Sequence, residues 1–242
     1  MTESRLFWSL PYALRRWFFK KQNGQVYKNL QVLRIVNPEK LSAPTFKPFL
    51  ENKCIFVHIP KAAGISVGSS LFGRHTGNHT SIAEYQMAFS QKEFESFYKF
   101  TFVRNPWDRL LSAYLFLKKG GRNDGDKKWA AENISHFNNF QDFVLNWVTP
   151  ENVLSGIHFM PQYYFVTLPG NKKIQVDFVG KFENLGPDFK IVKNKLGIGG
   201  SLVFENKTED KSSDYRNFYN RETQKVVARV YKEDIALFDY QF

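Results

Sequence analysis

The sequence predicts an α/β fold with three layers, in which helices flank a central, mostly parallel sheet. Short apolar segments typical of strands alternate with segments whose apolar residues recur at helical spacing, and this alternation is typical of parallel sheets covered on both faces. The chain has 242 residues, of which 43% are hydrophobic, so it can bury one substantial core. We therefore expect one main domain over residues 51–242, preceded by an extension over residues 1–50.

The extension opens with RLFWSLPYALRRWFFKK, which combines aromatic and basic residues. It fits either a terminal helix that docks on the domain with a basic outer face or a segment that lies on a membrane surface. Three prolines predict an irregular connection over residues 22–53. No run approaches the roughly 20 apolar residues that span a bilayer, no cleavable signal peptide is recognised, and Cys54 is the only cysteine. We expect a cytoplasmic location, with contact to a membrane surface through the extension as an open alternative.

In the first half of the main domain, the apolar patterns predict two strand–helix pairs. The run CIFVHI, residues 54–59, reads as a buried strand and GISVGSSLF, residues 64–72, as a helix. A second strand is expected over residues 100–103, followed by a helix from Pro106 to Lys118. Asn105 is a good N-cap and Pro106 fits the first helical position, which supports that helix start.

In the second half, the patterns predict a loop, two helices and two strands. GGRNDGDKK, residues 120–128, is rich in glycine and charge and predicts an exposed loop. Helical periodicity returns over residues 137–148, and strands are expected over residues 163–167 and 174–182. The closing segment, residues 221–240, has apolar residues at three- and four-residue steps and predicts an amphipathic helix.

The turn after the first strand, within HIPKAAGIS, has the composition of a phosphate cradle. Ligands of open parallel sheets bind beyond the carboxyl ends of the strands, where helix N-termini favour anions. Lys61 adds a full charge, Gly64 lets the backbone approach a ligand, and Ser66 offers a hydroxyl. The turn is not a Walker A loop, because Lys61 precedes its glycine. An ordinary strand-to-helix turn with an exposed lysine remains the alternative.

A second candidate anion site follows the second strand, in FTFVRNPWDRLLSAY. Arg104 lies at the strand tip, and Ser112 lies about 10 Å along the following helix. The two share an anion only if the arginine side chain folds beside the helix; the alternative is an arginine packed near a helix start. Two such strand-tip sites in one sheet suggest a ligand with phosphates at two separate positions.

With these motifs, the sequence resembles the sulfotransferases that depend on 3'-phosphoadenosine 5'-phosphosulfate (PAPS). Within that family, it resembles the carbohydrate branch that is related to the heparan sulfate 2-O and chondroitin enzymes. HIPKAAGIS resembles their 5'-phosphosulfate loop, and FVRNPWDRLLSAY their 3'-phosphate motif. The resemblance implies a fold related to P-loop nucleotide kinases, with PAPS as donor and PAP as product. The acceptor would be a hydroxyl of a carbohydrate or of another molecule, which in some cases is anionic. It assigns Arg104 and Ser112 to the 3'-phosphate. The 5' end would be held by Lys61 and by the amides of Ala62, Ala63, Gly64, Ile65 and Ser66.

Sulfuryl transfer in line between two oxygens needs a base for the acceptor hydroxyl, and histidine is best matched to neutral pH. His79 follows the first helix, where this branch carries a catalytic histidine, so we predict that it is the base. His75 and Glu84 are the alternatives. Lys61 would stabilise the leaving oxygen, and no metal is expected. For His158 and Gln162, contact with the acceptor and buried packing are both open.

Two other functions fit parts of the sequence. One is a phosphotransferase with a variant phosphate loop, and the other is a non-catalytic protein that binds polyanions. The second is supported by a formal net charge of +11, from 34 Lys and Arg against 23 Asp and Glu. The sequence contains no recognisable nucleic-acid motif, so we expect no nucleic-acid partner.

Overall fold

The computed structural model describes residues 5–203 and 214–242. Several of the helices begin with a side-chain cap. Examples are the Ser81–Glu84 capping box at the start of Ile82–Ala88 and the Ser90–Glu93 capping box at the start of Gln91–Ser96. The helices are α1 Arg5–Ser9, α2 Tyr12–Gln22, α3 Gly24–Ile35, α4 Lys47–Glu51, α5 Gly64–Phe72, α6 Ile82–Ala88, α7 Gln91–Ser96, α8 Pro106–Lys118, α9 Asp124–Asn133, α10 Phe140–Trp147, α11 Asn152–Ser155, α12 Tyr163–Val166, α13 Leu185–Leu196, α14 Arg221–Val230 and α15 Lys232–Phe238.

The strands form one parallel sheet and one short hairpin. They are β1 Cys54–Val57, β2 Tyr98–Val103, β3 Thr167–Leu168, β4 Asn171–Ile174 and β5 Phe178–Lys181. The parallel sheet has the order β1-β2-β5, with Phe56 opposite Phe100 and Phe100 opposite Phe178. β3 and β4 pair antiparallel. The predicted α/β class, with a parallel sheet flanked by helices, is confirmed for this small sheet.

The described residues divide into two units, each built from separate stretches of chain. Unit 1 consists of residues 5–59, 63–103 and 163–203, and it contains both sheets with helices α1–α7, α12 and α13. Unit 2 consists of residues 60–62, 104–162 and 214–242, and it contains helices α8–α11, α14 and α15. Within the described part of the chain, no helix is both long and apolar enough to cross a bilayer.

In unit 1, helices α2 and α3 pack against α6 and α7. The Tyr12 hydroxyl donates to the Phe89 carbonyl, and Arg15 donates to Gln86 Oε1 at 2.8 Å. Arg34 donates to the Ala88 carbonyl and to Glu93. The expected irregular connection over residues 22–53 is wrong for α3, because its three prolines all lie beyond the end of that helix.

In unit 2, an aromatic core surrounds α8. Phe143, Phe159 and Trp147 pack with ring centroids 4.9 to 5.4 Å apart, and the α8 residues Leu110 and Leu111 are fully buried beside them. At the start of α8 the Asn105 side chain accepts a hydrogen bond from the Trp107 amide, and Pro106 occupies the first turn. The predicted helix from Pro106 to Lys118 is confirmed with its bounds.

Four sequence predictions in the second half differ from the structure. The expected loop over residues 120–128 ends at Asn123, which caps α9 by accepting from the Asp126 amide. Residues 163–166 form the short helix α12, and only Thr167 of that predicted strand is extended. The strand expected over residues 174–182 is divided between β4 and β5, and the closing helix is interrupted at Tyr231.

Candidate active site

The turn between β1 and α5 has an unusual backbone. Lys61 and Ala63 adopt left-handed conformations, with φ of 66° and 63°, which cost a non-glycine residue about 1 to 2 kcal/mol. Ala63 is also the N-cap of α5, and it has no polar side chain to cap the first turn. Successive backbone amides in such alternating conformations form concavities that bind anions. The turn therefore has the backbone of an anion site as well as its lysine.

Gly64 is required here by close packing. A Cβ built on Gly64 would lie 1.7 Å from Cδ2 of His58, so no other residue fits without moving the histidine ring. His58 is buried and its ring stacks on Phe56, with centroids 5.8 Å apart. The histidine at the end of β1 thus fixes where α5 begins.

His79 lies beside His58 in unit 1. Its Nδ1 is 3.1 Å from the His58 carbonyl oxygen, and the two ring centroids are 4.5 Å apart. Because a carbonyl oxygen only accepts, Nδ1 carries the proton of the neutral ring and Nε2 carries the lone pair. His79 itself has a left-handed backbone, with φ of 55°. This tautomer is the one that a general base acting through Nε2 requires.

The two alternative bases have other contacts in unit 1. The Glu84 carboxylate accepts hydrogen bonds from the amide and hydroxyl of Ser81 and so closes the capping box of α6. The amide of His75 donates to the Leu41 carbonyl at 3.0 Å. The Glu84 contacts give that carboxylate a structural role at the start of a helix.

In unit 2, Lys61 is a partly buried cation near two arginines. Its Nζ lies 4.0 Å from the centroid of the Phe116 ring, within the range of a cation–π interaction. Burial, together with the positive charges of Arg104 and Arg109 and against the opposing charge of Asp126, lowers the pKa of the Lys61 ammonium to about 8. A bound anion would relieve this repulsion, which favours anion binding beside the lysine.

Arg104 folds along the first turn of α8. Its Nε donates to Asp108 Oδ2 at 2.7 Å, with the two side chains only 7% and 8% exposed, and its Nη1 donates to the Lys61 carbonyl at 3.1 Å. Asp108, Ser112 and Phe116 are spaced by four residues, which places them on one face of the helix. That face therefore carries the partner of Arg104, the buried Ser112 and the ring beneath Lys61.

The sequence analysis missed Arg109, which is 1% exposed. Its Nε donates to the Pro60 carbonyl at 2.9 Å, and its Nη2 donates to the carbonyls of Met160 and His158. The residue thereby holds the lysine turn and residues 158–160 together. A basic residue on a mostly apolar helix is the only sequence signal that indicates such a role.

Gln162 is fully buried against Arg104. Its Oε1 accepts from the Arg104 amide at 2.9 Å, and its Nε2 donates to the Arg104 carbonyl at 2.8 Å. Its own amide donates to Asp234 Oδ2. Both ends of the side-chain amide thus fix the backbone of Arg104, which corresponds to the packing alternative for this residue.

His158 is held by Asp126, a second residue that the sequence analysis missed. His158 Nε2 lies 3.0 Å from Asp126 Oδ1, and the ring packs against Phe116 with centroids 5.1 Å apart. Burial lowers the pKa of His158, although the Asp126 carboxylate opposes this effect. At neutral pH the ring is therefore neutral and donates its Nε2 proton to the carboxylate.

Together, unit 2 gathers three cations, Lys61, Arg104 and Arg109, and three carboxylates, Asp108, Asp126 and Asp234. The opposite charges are equal in number, but the repulsion between Lys61 and the two arginines is one that an anionic ligand would relieve. Among the residues that the structure describes, no group of three or more His, Cys, Asp or Glu side chains lies close enough to hold a metal ion. Within unit 1, His79 has a tautomer that is set by the His58 carbonyl oxygen.

Comparison with known proteins gives one family match and a few distant relatives. Residues 49–241 match the model described as the sulfotransferase family. An uncharacterized protein of Archaeoglobus fulgidus is 35% identical over 114 residues, which are 46% of this chain and 78% of that protein. Carbohydrate sulfotransferase 11 of rat and of mouse are each 24% identical over 189 residues, or 68% of this chain. The chain spans about half the length of these mammalian proteins, at 53%. No solved structure matches the chain significantly.

Proposed function

The chain belongs to the sulfotransferase family, and from that premise we propose that it moves a sulfuryl group from PAPS to a hydroxyl of a carbohydrate. The observation that carries the proposal is Lys61, a partly buried lysine whose pKa is lowered to about 8 by desolvation and by Arg104 and Arg109. Perturbed cations of this kind are typical of sites that bind charged ligands. The names of the mammalian relatives support a carbohydrate as the acceptor.

We infer that the chain's residues suit PAPS at both of its charged ends. Lys61 and the amides of the following turn would hold the 5' end, and the left-handed backbone at Lys61 and Ala63 supports this assignment. The amides are those of Ala62, Ala63, Gly64, Ile65 and Ser66. Arg104 and Ser112 would hold the 3'-phosphate. The strand–turn–helix order of β1, the lysine turn and α5 supports a relation to P-loop nucleotide kinases.

When bound, PAPS supplies the sulfuryl group and a nucleotide leaving group. Lys61 would stabilise the charge that develops on the leaving oxygen, because a fixed ammonium in a buried position acts more strongly than one in water. His79 would take the proton of the acceptor hydroxyl at Nε2, with Nδ1–H held by the His58 carbonyl. His158, kept neutral and oriented by Asp126, would align the acceptor. Gln162 would act as a positioning residue for Arg104.

Calorimetric titration with PAP, followed by transfer assays with radiolabelled PAPS and a panel of glycans, tests the proposal. We expect PAP to bind more tightly than ADP and label to appear in at least one glycan. Lys61→Ala should abolish transfer, whereas His79→Ala should lower turnover by about 10² to 10⁴-fold with nearly unchanged PAP affinity. Lys190→Ala, at an exposed lysine of α13, is the matched control.

Three outcomes would contradict the proposal. Equal affinity for PAP and ADP would favour a phosphotransferase, and indifference to both nucleotides would favour a protein that only binds polyanions. Loss of PAP binding together with turnover in His79→Ala would exclude a base role for His79. In that case His158→Ala is the next variant to compare, because Asp126 gives His158 an oriented ring of its own.

A further inference from the structure

Helix α2 has an apolar outer face that unit 1 does not cover. Its inner face, with Tyr12, Arg15 and Phe19, is buried. On the other side Leu14, Trp17 and Phe18 are exposed by 47%, 48% and 37%. Their spacing of three and four residues places them side by side on one face of the helix. These three residues are called the outer face of α2 below. Large apolar side chains gathered on an exposed face usually mark an interaction surface.

The charged residues of α2 itself are all basic. Between residues 5 and 38 the sequence contains seven basic residues and no Asp or Glu. Lys20 and Lys21 are exposed at the end of α2, and Lys21 Nζ lies 4.1 Å from the centroid of the Trp17 ring. The seven basic residues are Arg5, Arg15, Arg16, Lys20, Lys21, Lys28 and Arg34. A partner of the outer face must therefore be apolar where it meets the rings and anionic around them.

We propose that the outer face of α2, with Lys20 and Lys21, binds the surface of membranes that contain anionic lipids. Trp side chains favour the boundary between headgroups and acyl chains, and lysines beside them are attracted by the negative surface potential of anionic lipids. With its inner face docked on α6, α2 presents the outer face as a flat, shallow anchor that lies in the interface. Its eleven residues suit this position.

Other occupants fit the face less well. A second copy of the chain, joined by a symmetric contact, would add a second set of Lys20 and Lys21 to the same interface, and like charges in an interface disfavour association. Single-stranded nucleic acid would suit the rings and the lysines. It would leave the aliphatic Leu14 and the 77% exposed Leu6 without an apolar partner. The acyl region of a bilayer covers all of these groups.

Vesicle sedimentation with the full chain tests the proposal. We expect binding to phosphatidylcholine vesicles that contain phosphatidylglycerol, and at least about tenfold weaker binding to phosphatidylcholine alone. Lys20→Glu combined with Lys21→Glu should weaken binding to the anionic vesicles at least about tenfold, as should replacement of Leu14, Trp17 and Phe18 by Ser. Lys172→Glu combined with Lys173→Glu, at an exposed pair on β4, should leave vesicle binding unchanged.

Several results would overturn the proposal. These are equal binding to both kinds of vesicle, equal loss in the β4 control, or binding to a single-stranded oligonucleotide without binding to vesicles. A dimer in solution that the outer-face variants convert to monomer would show that a second copy covers the face. PAP affinity should stay unchanged in all outer-face variants, which separates this test from the test of sulfuryl transfer and shows that the variants are folded.

Discussion

At Lys61, desolvation disfavours the charged form of the side chain, whereas the proposed role in binding an anion requires that form. Burial first, and then the repulsion of Arg104 and Arg109, lower its pKa to about 8, although the Asp126 carboxylate opposes this effect. In the folded protein the protonation of Lys61 is therefore disfavoured, and a bound anion would favour it. The charge of this side chain and the affinity for an anionic nucleotide must then be linked, because whatever binds the ammonium also raises its pKa.

This linkage predicts that PAP affinity falls as the pH rises through about 8. Below about pH 7 the free protein already carries the Lys61 proton, so the dissociation constant should be flat there. Above about pH 8 the free lysine is neutral while the complex keeps its proton, so the constant should rise toward about tenfold per pH unit. Calorimetry between about pH 7 and pH 9.5, where the phosphates of PAP are fully ionised, measures the effect.

Two variants, one at Lys61 and one at an exposed lysine, serve as controls for this titration. Lys61→Met should bind PAP weakly and with no pH dependence across the same range, whereas Lys190→Met, on the exposed side of α13, should reproduce the unmodified curve. A flat dissociation constant through about pH 9.5 in the unmodified protein would contradict the lowered pKa of Lys61, and unchanged PAP affinity in Lys61→Met would mean that the lysine does not contact the nucleotide.

At the scale of elements, the start of α8 depends on Gln162. The side chain of this residue pairs with both backbone groups of Arg104 between β2 and the helix. Gln162→Leu should lower the free energy of unfolding by about 2 to 4 kcal/mol, because it leaves a buried N–H and a buried C=O unpaired. PAP affinity should fall with it, since Arg104 loses its fixed position. Denaturant unfolding and PAP titration measure the two effects.

An acceptor-binding role for Gln162 gives the opposite pattern. In that case Gln162→Leu would raise KM for the acceptor and leave both stability and PAP affinity unchanged. The matched control is Gln91→Leu, which removes an exposed hydrogen bond to Glu95 on α7 and should change the free energy of unfolding by less than about 0.5 kcal/mol.

A helix or strand is predictable from the sequence where the residues of a short stretch specify it by themselves. Helix α8 was predicted with its bounds, because Asn105 and Pro106 specify its first turn. In NDGD the same kind of signal, an asparagine cap before acidic residues, was outweighed by glycine and charge, so α9 was expected as a loop. The aromatic run at residues 163–166 has strand propensity, yet it forms a helical turn. Propensity is a weak guide where packing decides.

The candidate site was predictable to the extent that its parts lie in short motifs. Lys61 and Arg104 stand in recognisable turns, and the structure joins them through a hydrogen bond to the Lys61 carbonyl. Arg109 and Asp126 could not be found in this way, because their partners lie 49 and 32 residues away in the sequence. Which buried charge meets which carbonyl depends on tertiary packing, and no local periodicity records it.

For the whole molecule, the formal net charge of +11 gives two separate electrostatic expectations. Charges exposed to solvent, such as Lys20 and Lys21, act at long range and are screened by salt. Charges that are buried, such as Arg104 and Arg109, or partly buried, such as Lys61, act at short range and are screened much less. The distinction separates a specific nucleotide site from a general affinity for polyanions.

Salt dependence should therefore differ between ligands. Raising NaCl from about 0.05 M to about 0.5 M should weaken binding to a duplex oligonucleotide by about 10³-fold or more, because such binding depends on counterion release from many phosphates. PAP affinity should fall by less than about tenfold, since buried cations and backbone amides supply its contacts. Fluorescence anisotropy with the oligonucleotide and calorimetry with PAP at the same salt concentrations measure both curves. ADP, which lacks a 3'-phosphate, is the control. A parallel loss of all three affinities would mean that the positive surface as a whole, and no site around Lys61 and Arg104, holds the nucleotide.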